Sequence, residues 1–188
     1  MTNKNDLRVI KTNKALFNAL LDLMKEKTFE EIKISDVCSK ALINRSTFYA
    51  HYNDKYELLV ELIDELKSNL LATLQKNENE INTKEYFMAM LELLMNHIDE
   101  KRNIYTAILV NNRNSILMDI LIDVANKDIN ERIQSDKENI SANIPSDIIT
   151  KFYLGAIISI GMEWLTNNNK YSKGELLNYF KVLIPDKI

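Results

Sequence analysis

The sequence predicts an all-α protein of about nine helices, and three observations lead there. Apolar residues recur at helical spacing along almost the whole chain. The 188 residues include three Gly and two Pro, whereas a β-rich or α/β chain uses many of both at its turns. Hydrophobic residues make up 46% of the chain, enough for a packed core.

The first helix is expected over about Leu7–Lys27, where Phe17, Leu20, Leu21 and Met24 share one face. Phe29, Ile32 and Ile34 anchor the link to a short second helix, about Ser35–Ala41, with Val37, Cys38 and Ala41 inward. The lone Cys38 is read as a small core hydrophobe. A third helix over about Arg45–Tyr52 turns Phe48 and Tyr52 inward. A fourth starts near Asn53-Asp54, either of which suits its N-cap, and runs to about Gln75. Polar loops are expected over Gln75–Asn82 and Asp136–Asn143. Between and after them, helices are expected at about Thr83–Ile98, Asn103–Val110, Ser115–Ser135 and from Pro145 to Leu165, with Pro145 in the first turn. Asn167-Asn-Asn169 breaks that helix, and Ser172-Lys-Gly-Glu175 spells a capping box for a last helix ending before Pro185.

The second and third helices enclose a turn of two or three residues, the design of a helix-turn-helix. Asn44, Arg45, Ser46 and Thr47 then lie at the end of the third helix that enters a major groove in such a motif. Arg45 has the fork to bond guanine O6 and N7, and Ser46 and Thr47 can bond base edges or phosphates. Tyr49, one turn on, suits a phosphate, and His51 and Lys55 suit the flanking backbone. From the residues alone, a short polar helix on an ordinary bundle is the other reading. Residues 1–60 carry ten Lys/Arg against eight Asp/Glu, and residues 61–188 carry 14 against 19. A mildly basic head on an acidic body fits phosphate contact at one end.

The run Asn44-Arg-Ser-Thr-Phe-Tyr-Ala-His-Tyr-Asn-Asp-Lys-Tyr-Glu-Leu-Leu59 resembles the DNA-binding domain of TetR/AcrR-type transcriptional regulators, and the likeness covers roughly residues 8–62. Its Thr-Phe-Tyr-x-His-Tyr-x-x-Lys core is specific. The resemblance implies a three-helix helix-turn-helix head over residues 1–60 and an all-α regulatory and dimerisation body over residues 61–188. It implies a homodimer on near-palindromic double-stranded operator DNA. The expected function is a repressor released by a small ligand bound in the body; the alternative is an activator or co-regulator controlled by a partner protein. By position, Arg45, Ser46 and Thr47 would read bases or adjacent phosphates, and Tyr49, His51 and Lys55 would grip the backbone. The start of the second helix, Lys33 and Ser35, would add a phosphate contact. Two positions depart from the family pattern: Leu42 stands where Gly is common, and Lys33 where Thr is frequent. Ser35 is then expected to cap the second helix, or Lys33 to meet phosphate by charge.

The resemblance also implies that the last two long helices pair with a second copy. Gly155, Ala156 and Ser159 allow close approach, and Ile157, Ile158, Ile160, Leu176, Leu177, Phe180 and Leu183 add apolar area that an intramolecular core also needs. An inducer pocket in the body would draw on Tyr86, Phe87, Met90, Tyr105, Met118, Tyr153, Met162 and Trp164, residues that more often form plain core. Glu163 is placed at a solvated edge.

An enzyme has little support. The two histidines, His51 and His97, form no cluster of metal-ligand spacing, and all three glycines follow residue 150, so no Gly-rich phosphate loop exists. No cofactor and no metal are expected. His97 reads as a helix-surface or satisfied core residue, and one cysteine allows no intrachain disulfide. Met1-Thr-Asn-Lys-Asn-Asp carries no apolar signal core, and the apolar run Tyr153–Leu165 is short for a bilayer and holds Glu163. The expectation is a cytoplasmic bacterial protein with no membrane partner; the bacterial part rests on heavy use of Asn, Ile and Lys.

Overall fold

The computed structural model describes residues 7–73, 82–135, 144–167 and 170–184. These hold nine helices and no strand: α1 (Leu7–Met24), α2 (Ile34–Ala41), α3 (Arg45–His51), α4 (Lys55–Leu71), α5 (Thr83–Glu100), α6 (Arg102–Asn112), α7 (Ile116–Ser135), α8 (Ser146–Thr166) and α9 (Lys173–Leu183). The all-α expectation holds element by element, with ends shifted by a few residues. Apart from Asn82, the loops expected over 75–82 and 136–143 lie outside the described residues, as do Asn168, Asn169 and Pro185.

The chain forms two compact units. The first comprises the described residues of Met1–Leu66 with Ala107–Ile120, the second those of Lys67–Thr106 with Leu121–Ile188. Helices α4, α6 and α7 therefore each contribute residues to both.

In the first unit α1 buries Leu16, Phe17, Leu20, Leu23 and Met24 along one stripe and packs against α2. Phe29, Ile32, Val37, Phe48, Leu58 and Leu59 complete a tight core. Cys38 is buried there, and burial pushes its thiol above the usual range, as suits a core hydrophobe and not a nucleophile. The first helix stops at Met24, earlier than expected. The carbonyls of Met24 and Lys25 accept instead from Asn112 Nδ2 (3.0 Å) and Asn111 Nδ2 (2.6 Å). Asn112 is fully buried and fully satisfied: its Nδ2 also reaches Ile108 O at 2.9 Å, and its Oδ1 accepts from Phe29 N–H (2.7 Å) and Ser115 Oγ (3.2 Å). Glu30 Oε1 accepts from Ile116 N–H at 2.6 Å, at the N-terminus of α7. The turn between α6 and α7 is thus a built part of the first unit.

In the second unit α5 packs against α9. Tyr86, Met95, Ile133, Ile149, Trp164, Leu176, Phe180 and Ile184 are buried. Two reciprocal capping boxes start its helices: Asn82 with Glu85 on α5, and Ser172 with Glu175 on α9. Only the second was expected. Pro145 is the N-cap of α8, one position before the first turn. Arg102 closes the other end of α8: Nη1 donates to Trp164 O (3.0 Å) and Leu165 O (3.3 Å), and the guanidinium lies 4.2 Å from the Trp164 ring centre. Arg102 also pairs with Asp99, which receives Lys173 at 3.3 Å. These cations hold the Asp99 carboxyl below its usual range. With 21 residues, α8 is long and apolar enough to cross a bilayer by length and composition alone, a test that the core helix of a soluble protein also passes. The apolar run Tyr153–Leu165 begins after the apolar residues Ile148, Ile149 and Phe152 of the same helix.

Candidate nucleic-acid interface

The turn before α3 is set by Leu42, whose backbone is left-handed at φ 57°, ψ 40°. It is the one non-Gly residue with positive φ among the described residues, and its side chain is 94% exposed. Leu42 carries strain here, because a Cβ in this conformation crowds the following carbonyl. Ile43 N–H donates to Cys38 O at 2.9 Å and closes the end of α2.

Asn44 is the N-cap of α3, with extended backbone. Over the next seven residues one buried position fixes the rest. Phe48 is fully buried, and Tyr52 follows one turn later at 5% exposure. This leaves Asn44, Arg45, Ser46 and Tyr49 exposed and Thr47 half-buried, a polar face at the start of the helix. Tyr49 is 56% exposed and stands edge-on to Phe48 at 5.5 Å. His51 is half-buried beside Tyr52.

The expected cap of α2 is corrected. Asp36, not Ser35, accepts from Lys33 N–H (3.2 Å), and it also receives Lys27 Nζ at 2.5 Å. A carboxylate three residues into the helix reaches the N-cap amide, which a lysine side chain cannot do for lack of an acceptor. The Lys27 and Lys33 contacts hold the Asp36 carboxyl below its ordinary range. Lys33 is exposed on the surface, and the Ser35 hydroxyl turns 3.5 Å from Asp36 Oδ1.

Lys55 is tied within the unit. Its ammonium donates to the carbonyls of Phe29 (2.8 Å), Glu30 (2.9 Å) and Ile32 (2.8 Å), and lies 4.8 Å from the Phe29 ring centre. All three N–H donors are used inside the unit. Burial lowers its pKa from the ordinary value. Asp54 caps α4, accepting from the N–H groups of Tyr56 (2.8 Å) and Glu57 (2.9 Å).

In the second unit, Phe87, Met90 and Tyr153 line a pocket of about 170 Å³, together with Tyr86, Leu91, Leu94, Ala125, Asp128, Ile129, Ile133 and other residues of α8. Tyr105, Met118, Met162 and Trp164 are not among its lining residues. Tyr105 bonds His97 Nε2 at 2.8 Å, Trp164 stacks under Arg102, and Met118 belongs to the first unit. Spacing alone gave no signal for Ala125 or Asp128, an alanine and an ordinary helix-surface carboxylate in the sequence.

Of the expected dimer residues, Gly155 and Ser159 are exposed on α8 beside Phe152 and Ile148. Leu176 and Phe180 are not available to a second copy. They are 3% and 4% exposed because α9 turns that face inward, and Tyr179, Val182 and Leu183 are the exposed ones. Glu163 pairs with Lys170 at 2.8 Å on the surface.

Comparison with known proteins adds the family. The model of a transcriptional regulator C-terminal region, TetR_C_8, matches residues 85–186. The activator DhaS of the dhaKLM operon in Lactococcus lactis is 25% identical over 175 residues, 90% of this chain and 87% of DhaS. The HTH-type transcriptional regulator YxbF of Bacillus subtilis is 39% identical over 92 residues; that match covers 47% of this chain and spans only 24% of YxbF. A solved TetR transcriptional regulator from Streptococcus agalactiae is 27% identical with a TM-score of 0.62, covering 95% of this chain and 96% of that one. With a helix-turn-helix on α2 and α3 and a matching C-terminal region, the chain belongs to the TetR family of transcriptional regulators.

Proposed function

We propose that this chain is a homodimeric, sequence-specific DNA-binding regulator whose operator affinity is set by a small ligand in the second unit. The observation that carries the DNA reading is the exposed polar start of α3, held in place by the buried Phe48. In this reading Arg45 reads a guanine edge, Ser46 and Thr47 meet neighbouring bases or phosphates, and Asn44, Tyr49 and His51 hold the backbone. Lys33, exposed at the start of α2, adds a phosphate contact; Ser35 and Lys55 serve the fold.

Dimerisation through α8 and α9 is supported by exposed apolar and small residues in one stripe: Ile148, Phe152, Gly155, Ala156 and Ser159, with Tyr179, Val182 and Leu183 on α9. A side chain built on Gly155 would meet nothing within 4 Å, so that surface is open to a second helix. A two-fold dimer places two copies of α3 on half-sites roughly 34–36 Å apart. A ligand that binds better in one head spacing shifts the population toward it.

Repression relieved by ligand is the reading taken. Activation is the second, favoured by the similarity to DhaS, an activator, along most of the chain. Titration of the purified protein into labelled DNA from upstream of its own gene, against scrambled DNA over a salt series, tests the DNA claim. Tight, selective binding by a dimer is expected. Equal, weak binding to both, and to a genome-wide fragment pool, would remove it. A promoter reporter with and without the protein separates repression from activation.

A further inference from the structure

The pocket of the second unit has a chemistry that restricts what it can hold. Its volume of about 170 Å³ is far below the roughly 300–1,000 Å³ typical of sites for drug-sized ligands. It is close to the ~150 Å³ of a hydrocarbon-lined cavity that takes one benzene. Its walls are nearly all hydrocarbon, drawn from Phe87, Met90, Leu94, Ile129 and Ile133.

Asp128, Tyr86 and Thr150 on the wall are already engaged. The Asp128 carboxylate gives Oδ1 to Lys67 Nζ and Oδ2 to Tyr86 Oη at 3.4 Å. Thr150 donates its hydroxyl to Ser146 O at 2.8 Å, back along α8. A cationic ligand would have to displace Lys67 from Asp128. An anionic one would be repelled by that carboxylate. Either loses its hydration without replacement, which strongly disfavours a charged group.

We propose that this pocket takes a neutral, compact, apolar molecule of benzene-to-indole size, and that it excludes charged and long-chain ligands. The aromatic rings and the Met90 thioether favour an aromatic ligand, through edge contacts and sulfur–ring contacts. The consequence for DNA rests on the proposed function; the ligand class does not.

The test is calorimetric titration of the full chain, without DNA, using one ring in three charge states: toluene, benzylamine and benzoate, with indole and decanoate beside them. Toluene and indole are expected to bind, with benzylamine, benzoate and decanoate at least about ten-fold weaker. Two substitutions on different helices, Ala125→Leu and Leu94→Phe, fill the pocket and are expected to cut toluene affinity at least about ten-fold while the melting temperature holds or rises. Absence of toluene and indole binding, equal or tighter binding of a charged ring or of decanoate, or unchanged toluene binding in both folded variants each overturns the proposal. Operator binding is measured separately with and without toluene. Toluene bound with operator affinity unmoved keeps the pocket's chemistry and removes toluene-class control of DNA binding. Toluene bound by a protein with no selective DNA binding keeps the pocket's chemistry and removes the DNA reading.

Discussion

The two units are built on opposite plans. The first is internally tied: backbone groups at the end of α1, in the link to α2 and at the start of α2 are held by Asn112, Lys55 and Asp36, and its proposed working face is on the outside, at the start of α3. The second has polar ties at helix ends, around Arg102 and the two capping boxes, a few between helices such as Lys67 with Asp128, and a hydrocarbon-walled pocket. A reader of base edges gains from rigidity, because its hydrogen bonds need fixed geometry. A ligand sensor gains from unfilled space, because only a site that prefers one state can shift a population.

The largest test of this contrast is Asn112→Ala. It strips partners from the buried Phe29 N–H and Met24 carbonyl at once, so stability is expected to fall by about 3 kcal/mol. Differential scanning calorimetry would then read a melting temperature lower by roughly 6–12 °C. A loss under about 1 kcal/mol would mean the amide ties little together.

Phe152→Asp probes the outside of the second unit. Phe152 is 70% exposed in the single chain, and a charge at the centre of a helix pairing surface is expected to weaken dimerisation about a hundredfold in sedimentation. An unchanged dimer would move the interface elsewhere.

Lys55→Met separates a tie from a phosphate contact. Because the site is only partly buried, the expected loss is about 1–2 kcal/mol of stability. The salt dependence of DNA binding by the folded variant should match the parent. A slope smaller by about one unit would restore Lys55 to the DNA surface.

Leu42→Gly relieves the left-handed strain of about 1–2 kcal/mol and gives part of it back in unfolded-chain entropy, for a net gain of about 0.5–1 kcal/mol. Urea denaturation would show the midpoint moving up at constant m-value.

The smallest effect concerns His97 in the second unit. Burial holds its pKa below the ordinary value and pushes the Tyr105 hydroxyl up to about 12, so a protonated phenol and a neutral imidazole share this hydrogen bond. A base with a lowered folded pKa binds protons more readily when unfolded. Its contribution is therefore full above the ordinary value near 6.5 and is lost as pH falls through that value toward the lowered one. Melting temperature should drop modestly between pH 7.5 and 5.5, and less in His97→Gln. Equal drops in both would assign the dependence to other groups.

What the chain alone determined is local. Helical period, capping letters such as Ser172 with Glu175, and the consecutive residues Asn44 to Tyr52 act within one or two turns, where spacing dictates which side chains share a face. The fold class, the nine helices and the exposed start of α3 were legible for that reason. The tertiary structure decided whatever depends on partners distant in sequence. Lys55 reads as a phosphate ligand until three carbonyls 23–26 residues away claim its donors. Asn112 reads as an ordinary polar residue until Met24 and Phe29, more than 80 residues away, enclose it. Leu176 and Phe180 read as equally fit for a core or a dimer, because both demand the same apolar side chains and only packing assigns the face. A hydrogen-bonding group has a few donors and acceptors, and which neighbours use them is settled when the chain closes on itself.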